Sequence, residues 1–338
     1  MTRKQFLYFL ITFYALFVVM LGAYTRLSDS GLGCPDWPGC YGQITVADTS
    51  TAILKANALY PSTPLEQQKA WPEMIHRYLA GLLGTFIIGI SIFRLNRARK
   101  QYEDLSVVPI FLIFLVIFQA LLGKWTVSWS LHPMAVMPHL IGGMLITTTL
   151  YWQLIDHSQR TKLHPCHTTT RILSWLLFVV ILAQISLGGW TSSQYAALSC
   201  PDFPFCQGSL WPNMSFSEAF SLSLPSFDTY EGGVLSTDAR TAIHVTHRLG
   251  ALFIVGLVIA LAKNLFTERS LPYSTHAVRI MVILIFQIAF GIANVLLELP
   301  ILVATVHNAI ACLFLLTVTT LLYDIHHAKN ASTLSENQ

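Results

Sequence analysis

Eight apolar segments, each about as long as a membrane-spanning helix, constrain this chain most strongly. They cover residues 6–26, 73–93, 106–127, 137–155, 172–192, 240–262, 277–297 and 302–323. A hydrocarbon core about 30 Å thick is crossed by roughly 20 apolar residues in a helix. Only 11% of the residues are charged, whereas soluble domains carry about 25%. The chain is therefore predicted to be an all-α polytopic membrane protein in contact with lipid. The composition argues against a soluble enzyme and against a nucleic-acid partner.

The distribution of basic residues predicts the orientation of the chain in the membrane. Cytoplasmic segments of membrane proteins carry an excess of Lys and Arg. The termini and the short connections hold most of the basic residues, whereas loops 27–72 and 193–239 contain only Lys55 and Lys69. We expect both termini in the cytoplasm and both long loops on the outer side of a bacterial inner membrane.

The second half of the chain repeats motifs of the first half in the same order. The paired motifs are the loops Cys34–Cys40 and Cys200–Cys206, Gln119 and Gln287, Gly123 and Gly291, and His139 and His307. Halves with four spans each have parallel topology and are related by an axis along the membrane normal. We therefore expect two tandem, pseudo-two-fold-related four-helix bundles over residues 1–157 and 158–338.

One histidine lies in each even-numbered apolar segment, near its outward end. The four are His76, His139, His247 and His307. Ionisable residues within a span are costly and usually functional. The two even-numbered helices of one bundle are parallel, so their histidines can face each other, and paired imidazoles in a bundle core are typical haem-iron ligands. The pattern predicts a di-haem protein, although any one of these histidines alone could be an ordinary buried side chain.

Four intramembrane histidines could also bind zinc or relay protons. Zinc is the weaker interpretation because no Cys, Asp or Glu lies at zinc-ligand spacing beside them. A proton relay is a third possibility, but it does not explain the symmetric duplication.

An arginine directly follows one histidine in each half. Arg77 follows His76, and Arg248 follows His247. A guanidinium here could bind a haem propionate or a loop carboxylate. The alternative is an arginine whose charged end reaches the membrane surface while its aliphatic part stays buried.

The repeat is broken at one acidic position. Glu73 lies three residues before His76, on the same helical face, and the matching residue in the second half is His244. This asymmetry predicts that the first half carries the chemistry, with Glu73 as the catalytic residue. The alternative is a first-turn acid favoured by the helix dipole.

The two C-x5-C loops are predicted to form disulfides on the oxidising outer side. Cys34–Cys40 and Cys200–Cys206 each enclose Pro, Asp and a second Pro, which favours a tight turn. A structural disulfide is expected for Cys200–Cys206. For Cys34–Cys40 a redox role is also open.

Taken together, these motifs resemble the haem A synthase (CtaA/Cox15) family. The resemblance covers essentially the whole chain and rests on the motifs Glu73-x-x-His76-Arg77, Pro138-His139 and Thr246-His247-Arg248, on His307, and on the paired cysteine loops. It implies an eight-helix enzyme that oxidises a ring methyl of haem O to a formyl group, giving haem A for cytochrome oxidase.

The resemblance also implies roles for individual residues. His76 and His139 would hold the substrate haem O in residues 1–157, with Glu73 acting in the chemistry. His247 and His307 would ligate a bound haem b in residues 158–338. A haem O synthase and an electron donor would be its partners.

Two other classes of protein fit the residues without the resemblance. A non-enzymatic di-haem cytochrome b passing electrons from quinol would use the same four histidines. A haem or small-molecule transporter would also contain parallel repeats.

Overall fold

The computed structural model describes residues 2–101, 106–156, 165–221, 227–268 and 271–335. These ranges contain helices and no named strand, which confirms the predicted all-α class. The helices are α1 Arg3–Leu27, α2 Ser50–Leu59, α3 Gln67–Gln101, α4 Val107–Ser128, α5 Pro133–Asp156, α6 Thr168–Ser193, α7 Phe216–Ala219, α8 Thr237–Thr267, α9 Leu271–Leu296 and α10 Ile301–Ser335.

Eight of these helices are long and apolar enough to cross a membrane, and each coincides with one predicted segment. Every helix except α2 and α7 belongs to this set. Helix α3 runs from Gln67 to Gln101, well beyond the apolar residues 73–93. The Thr2 side chain caps α1, and the Ser236 side chain caps α8.

Helix packing is consistent with two four-helix units. In the first half (α1–α5), α1 and α4 each contact α3 and α5. In the second half (α6–α10), α8 and α10 each contact α6 and α9. Helix α10 also contacts α1 and α5, and α5 contacts α6, so the halves share an interface. The predicted boundary at residues 157 and 158 lies outside the described residues.

The outer surface of the spans is rich in large apolar side chains. Phe13, Phe93 and Leu252 are 64%, 67% and 66% exposed, although all three lie in spanning helices. Apolar surface of this extent is unfavourable in water and favourable against lipid tails. The chain is an integral membrane protein.

Both cysteine loops fold into the same compact turn. Cys34 is bonded to Cys40 (S–S 2.01 Å), and Cys200 is bonded to Cys206 (S–S 1.98 Å). In the second turn, the Asp202 carboxylate accepts hydrogen bonds from the backbone N–H groups of residues 207 and 208, at 2.6 and 2.8 Å. The hydrogen bond from residue 208, followed by that from residue 207, holds the pKa of Asp202 below its usual value.

The first turn contains the same carboxylate arrangement. Asp36 accepts hydrogen bonds from the backbone N–H groups of Tyr41 and Gly42, at 2.6 and 2.8 Å. Gly42 and Gly208 occupy the left-handed region in their respective turns, with φ of 72° and 74°. Glycine adopts this backbone conformation at little cost.

Candidate functional site

A cavity of about 1580 Å³ runs between the two halves and is lined by all four predicted histidines. Single-ligand pockets usually enclose roughly 300–1,000 Å³. Glu73, Arg77 and Arg248 also line the cavity. The structure therefore brings the predicted site residues of both halves to one continuous space.

The two histidines of the first half face each other. His76 on α3 and His139 on α5 have ring centroids 6.5 Å apart and ring planes inclined at 86°. Their arrangement agrees with the prediction that parallel helices of one bundle would oppose these side chains. In the second half, His247 on α8 and His307 on α10 line the same cavity.

Each histidine ring packs on a glycine of the spanning helix that precedes it in the chain. The pairs, with the distance that a Cβ added at the glycine would have from the ring Cε1, are Gly22–His76 (2.9 Å), Gly123–His139 (3.1 Å), Gly188–His247 (3.2 Å) and Gly291–His307 (3.2 Å). A larger residue would push the ring away, most strongly at Gly22. The lack of a side chain at each glycine therefore sets how closely the imidazole ring approaches the neighbouring helix.

Buried histidine nitrogens without hydrogen-bond partners indicate that the cavity binds a ligand. The Nδ1 atoms of His76, His139 and His307 are buried and have no hydrogen-bond partner in the described part of the chain. Buried polar atoms are nearly always paired, so an unpaired set needs an explanation such as an ion or ligand. Four imidazoles that line a largely apolar cavity are suitable ligands for haem iron. The glycines allow these rings to lie close to the neighbouring helix backbones.

Glu73 joins its helix to the first disulfide turn. Its Oε2 accepts a hydrogen bond from the Cys34 backbone N–H at 2.8 Å, and its Oε1 pairs with Arg77 Nη2 at 2.5 Å. Arg77 Nη1 also donates to the backbone oxygens of Asp36 and Gly39, at 2.8 and 2.5 Å. Glu73 is 4% exposed, so its carboxylate is buried between the cavity and the turn.

His244 occupies the equivalent place in the second half. Its Nδ1 lies 3.2 Å from the Cys200 backbone nitrogen and its Nε2 lies 3.2 Å from Arg248 Nε, and a neutral imidazole accepts one of these two N–H groups. Arg248 further donates to the Phe205 and Cys200 carbonyl oxygens, at 2.8 and 2.9 Å. His244 is thus a neutral counterpart of Glu73 as an anchor of its turn.

In both halves the predicted arginine donates hydrogen bonds to backbone carbonyl oxygens. The sequence left open a haem propionate or a loop carboxylate as their partner, whereas the carboxylate that pairs with Arg77 is Glu73 of the same helix and not a loop residue. Arg77 and Arg248 each tie a disulfide turn to the helix that carries a histidine.

Sequence reasoning overlooked two cavity residues. Gln184 on α6 donates to the His247 backbone oxygen at 2.8 Å and lies 3.1 Å from its Nδ1. It precedes Gly188 by four residues, a spacing shared with Gln119 and Gly123, and that repeat was the available signal. Lys124 also lines the cavity, directly after the glycine beneath His139.

A family model for COX15-CtaA, the cytochrome oxidase assembly proteins, matches residues 5–319. The chain belongs to the COX15-CtaA family. It is 41% identical over 323 residues to the haem A synthase of Shewanella oneidensis, across 95% of this chain and 96% of that protein. The haem A synthases of Chelativorans sp. and Agrobacterium fabrum are each 28% identical, across 90% and 88% of this chain and 86% and 83% of theirs. All three COX15-CtaA relatives match over nearly their full length.

Proposed function

We propose that this chain is a haem A synthase, an enzyme that oxidises the ring methyl of haem O to a formyl group to give haem A. The observation that carries the proposal is the near full-length similarity to haem A synthases together with a cavity lined by two histidine pairs. A di-haem cytochrome b would share the histidines. The identity of the relatives favours the enzyme.

The substrate haem O is assigned to the first half. His76 and His139 would hold it, because their ring centroids lie 6.5 Å apart. A haem held there would supply the redox chemistry of the reaction. Lys124 is the cation that we assign to a propionate. It lines the cavity beside the His139 glycine, and the equivalent residue of the second half is Ile292.

Glu73 is proposed as the catalytic carboxylate of this half. Converting a methyl group to a formyl group replaces two C–H bonds with a C=O bond, so the reaction needs an oxidant and a source of the oxygen atom, and a carboxylate near the ring edge could hold a proton that the oxidation releases. Glu73 lines the cavity and lies one helical turn from His76. Its bonds to Cys34 and Arg77 fix the direction of the carboxylate, which pre-organises it for that proton.

The second half is proposed to bind haem b through His247 and His307. The residue that replaces the carboxylate there is His244, already in contact with Cys200 and Arg248. This half therefore lacks the acid that the first half presents. We assign it to electron transfer or to support of the catalytic half.

The domain division follows from these haem assignments, and the orientation follows from the distribution of basic residues. Residues 1–157 form the catalytic unit and residues 158–338 the haem b unit. Both termini lie in the cytoplasm, and loops 27–72 and 193–239 face outward, as the basic residues predict. The bacterial relatives support a bacterial inner membrane. A haem O synthase would supply the substrate, and a separate donor would supply electrons.

Haem extraction tests the proposed function. The chain is expressed with a haem O-producing enzyme in a host that makes no haem A, and membrane haems are extracted and separated by chromatography. We expect haem A with the chain and haem O alone with the empty vector. Membranes that contain the folded, haem-loaded protein and only haem O would refute the proposal.

A further inference from the structure

Arg26, near the end of α1, extends from the first half of the chain to the second. Its Nη2 donates a hydrogen bond to the Ser192 backbone oxygen of α6 at 2.6 Å. Its Cζ lies 4.2 Å from the centroid of the Tyr195 ring, just after the end of α6. The Arg26 side chain is 14% exposed, so the guanidinium group contacts the second half largely out of water.

The repeat gives Arg26 no arginine counterpart. Arg26 follows Gly22 by four residues, and the residue that follows Gly188 by four is Ser192. The hydrogen bond between Arg26 and Ser192 therefore joins two equivalent positions of the repeat. A single arginine, supplied by the first half, lies where the ends of α1 and α6 meet.

The two glycines relate Arg26 to both proposed haem sites. Gly22 packs against the His76 ring, and Gly188 packs against the His247 ring. Residues four apart share a helical face. The Arg26 backbone therefore lies one turn from the glycine of the first site, whereas its guanidinium group, bonded to α6, lies one turn from the glycine of the second. Arg26 also lines the cavity.

Few cations could pair with a propionate of the second-half haem. Haem propionates are carboxylates, and a buried carboxylate is costly unless it is paired. In the described ranges, the Lys and Arg residues that line the cavity are Arg26, Arg77, Lys124 and Arg248. Arg77 and Arg248 donate to the disulfide turns, and Lys124 lies in the first half with Ile292 as its counterpart. Arg26 is the one of the four that contacts the second half and is not engaged by a disulfide turn.

The guanidinium group of Arg26 keeps donors for a carboxylate. It carries five N–H donors, of which one bonds Ser192. Its Nη1 lies 3.6 Å from the carboxylate of Asp29, whose side chain is 54% exposed, and an ion pair at such a surface is weak. Its Nε has no hydrogen-bond partner in the part of the chain that the structure describes. A carboxylate in the cavity can therefore pair with Arg26 while the bond to Ser192 is kept.

We propose that Arg26, a residue of the first half, binds a propionate of the haem b held by the second half. The haem b site is then completed by the other half of the chain. A nearby positive charge favours the reduced haem, because oxidation adds a positive charge at the iron. Arg26 therefore raises the reduction potential of haem b. This inference rests on the proposed haem sites.

Redox titration of the second-half haem tests the inference in the purified, full-length protein. A His76→Ala/His139→Ala background removes the first-half ligands, so the spectrum reports haem b of the second half. In that background, Arg26→Gln removes the positive charge, and Arg26→Lys keeps the charge without the planar fork. Lys124→Gln is the control, because it removes one positive charge from the first-half side of the same cavity.

A fourth variant probes Arg26 without changing it. Asp29→Asn removes the carboxylate that pairs with Arg26 at the surface. Arg26 is then free of a competing anion, so the reduction potential of haem b should rise. Because Asp29 is half exposed, this variant decides the matter if Arg26→Gln does not fold or loses its haem.

We expect Arg26→Gln to shift the equilibrium about tenfold toward oxidised haem b, a fall of about 59 mV for a one-electron couple. Arg26→Lys should shift it less, and Lys124→Gln should stay near the potential of the background protein.

An Arg26→Gln protein that retains haem b at an unchanged potential would overturn the inference, since Arg26 would then only join the two halves. An equal fall in Lys124→Gln would also overturn it, because the effect would not depend on the position of the charge. An unchanged or lowered potential in Asp29→Asn counts against it in the same way. Haem A production by the wild-type chain is scored separately, so failure of the proposed function is distinguishable from failure of this inference.

Discussion

Glu73 accepts a hydrogen bond from the backbone N–H of Cys34, which ties the proposed haem O helix to the first disulfide turn at 2.8 Å. The second half repeats this contact with His244 and Cys200 at 3.2 Å. The anchoring function is common to both halves, whereas the negative charge belongs to the first half alone. Variants at this position can therefore separate anchoring from chemistry.

Replacing Glu73 should abolish most haem A production while haem b stays bound. Glu73→His copies the second half, so the imidazole can still accept the Cys34 N–H bond, but the carboxylate is lost. Glu73→Gln keeps the size and removes the charge. Loss of a proton-transfer group lowers a rate by about 100-fold or more. Extracted haems and bound haem b are measured in the same membranes.

The control for this prediction is His244→Gln, which changes the corresponding anchor of the second half. It should leave haem A production near normal. The helix-dipole interpretation of Glu73 is wrong, because α3 begins at Gln67 and its first turn contains no acidic residue. If Glu73 were only an anchor of the disulfide turn, Glu73→His, which keeps an acceptor for the Cys34 N–H group, should leave haem A production near normal. Normal haem A levels from both Glu73 variants would therefore eliminate the catalytic role.

Removing either histidine of the second half should remove its haem. His247→Ala or His307→Ala leaves the iron one ligand short, so most of the tightly bound low-spin haem b should be lost. Absorption spectra of the purified, reduced proteins report the loss. An unchanged spectrum in both variants would disprove this ligand pair.

Replacing Gly22, which packs against the His76 ring, with a larger residue should displace that ring. The Cβ in Gly22→Ala would lie 2.9 Å from His76 Cε1, so the ring or the helix must move. Overpacking of this kind costs about 1–3 kcal/mol, and we expect haem A production to fall about tenfold. Gly89→Ala, on the same helix as His76 with open space around it, is the control. Equal activities of the two variants would contradict the packing role of Gly22.

Thiol labelling should find only two reactive cysteines in the denatured, unreduced protein. Cys34, Cys40, Cys200 and Cys206 are paired in the structure, whereas Cys166 and Cys312 are free. All six should react after reduction. Labelling of Cys200 or Cys206 without reductant would reject the second disulfide.

The fold was largely predictable because its strongest signal is local. Twenty apolar residues in sequence can satisfy their backbone groups in lipid only as a helix. All eight predicted spans correspond to helices, with differences at the ends, where polar residues such as Gln67 and Gln101 prolong α3. The short helices α2 and α7 were not predicted, since neither loop has a long apolar periodicity.

The site residues that are repeated in both halves of the chain could be predicted from the sequence. Offset-matched histidines pointed to His76, His139, His247 and His307, and the structure places all four on one cavity. The partners of Arg77 and Arg248 could not be read from the sequence because they are backbone carbonyls, whose positions depend on how each turn folds.

The conversion of haem O to haem A at the first histidine pair is the central claim, and haem chromatography of paired variants tests it most directly. The wild-type chain, His76→Ala/His139→Ala and His247→Ala are each expressed with a haem O-producing enzyme in a host that makes no haem A. We predict haem A from the wild-type chain and, from His76→Ala/His139→Ala, haem O without haem A but with haem b still bound. The His247→Ala variant should lose most of its bound haem b. Haem A at wild-type levels from His76→Ala/His139→Ala would contradict the account.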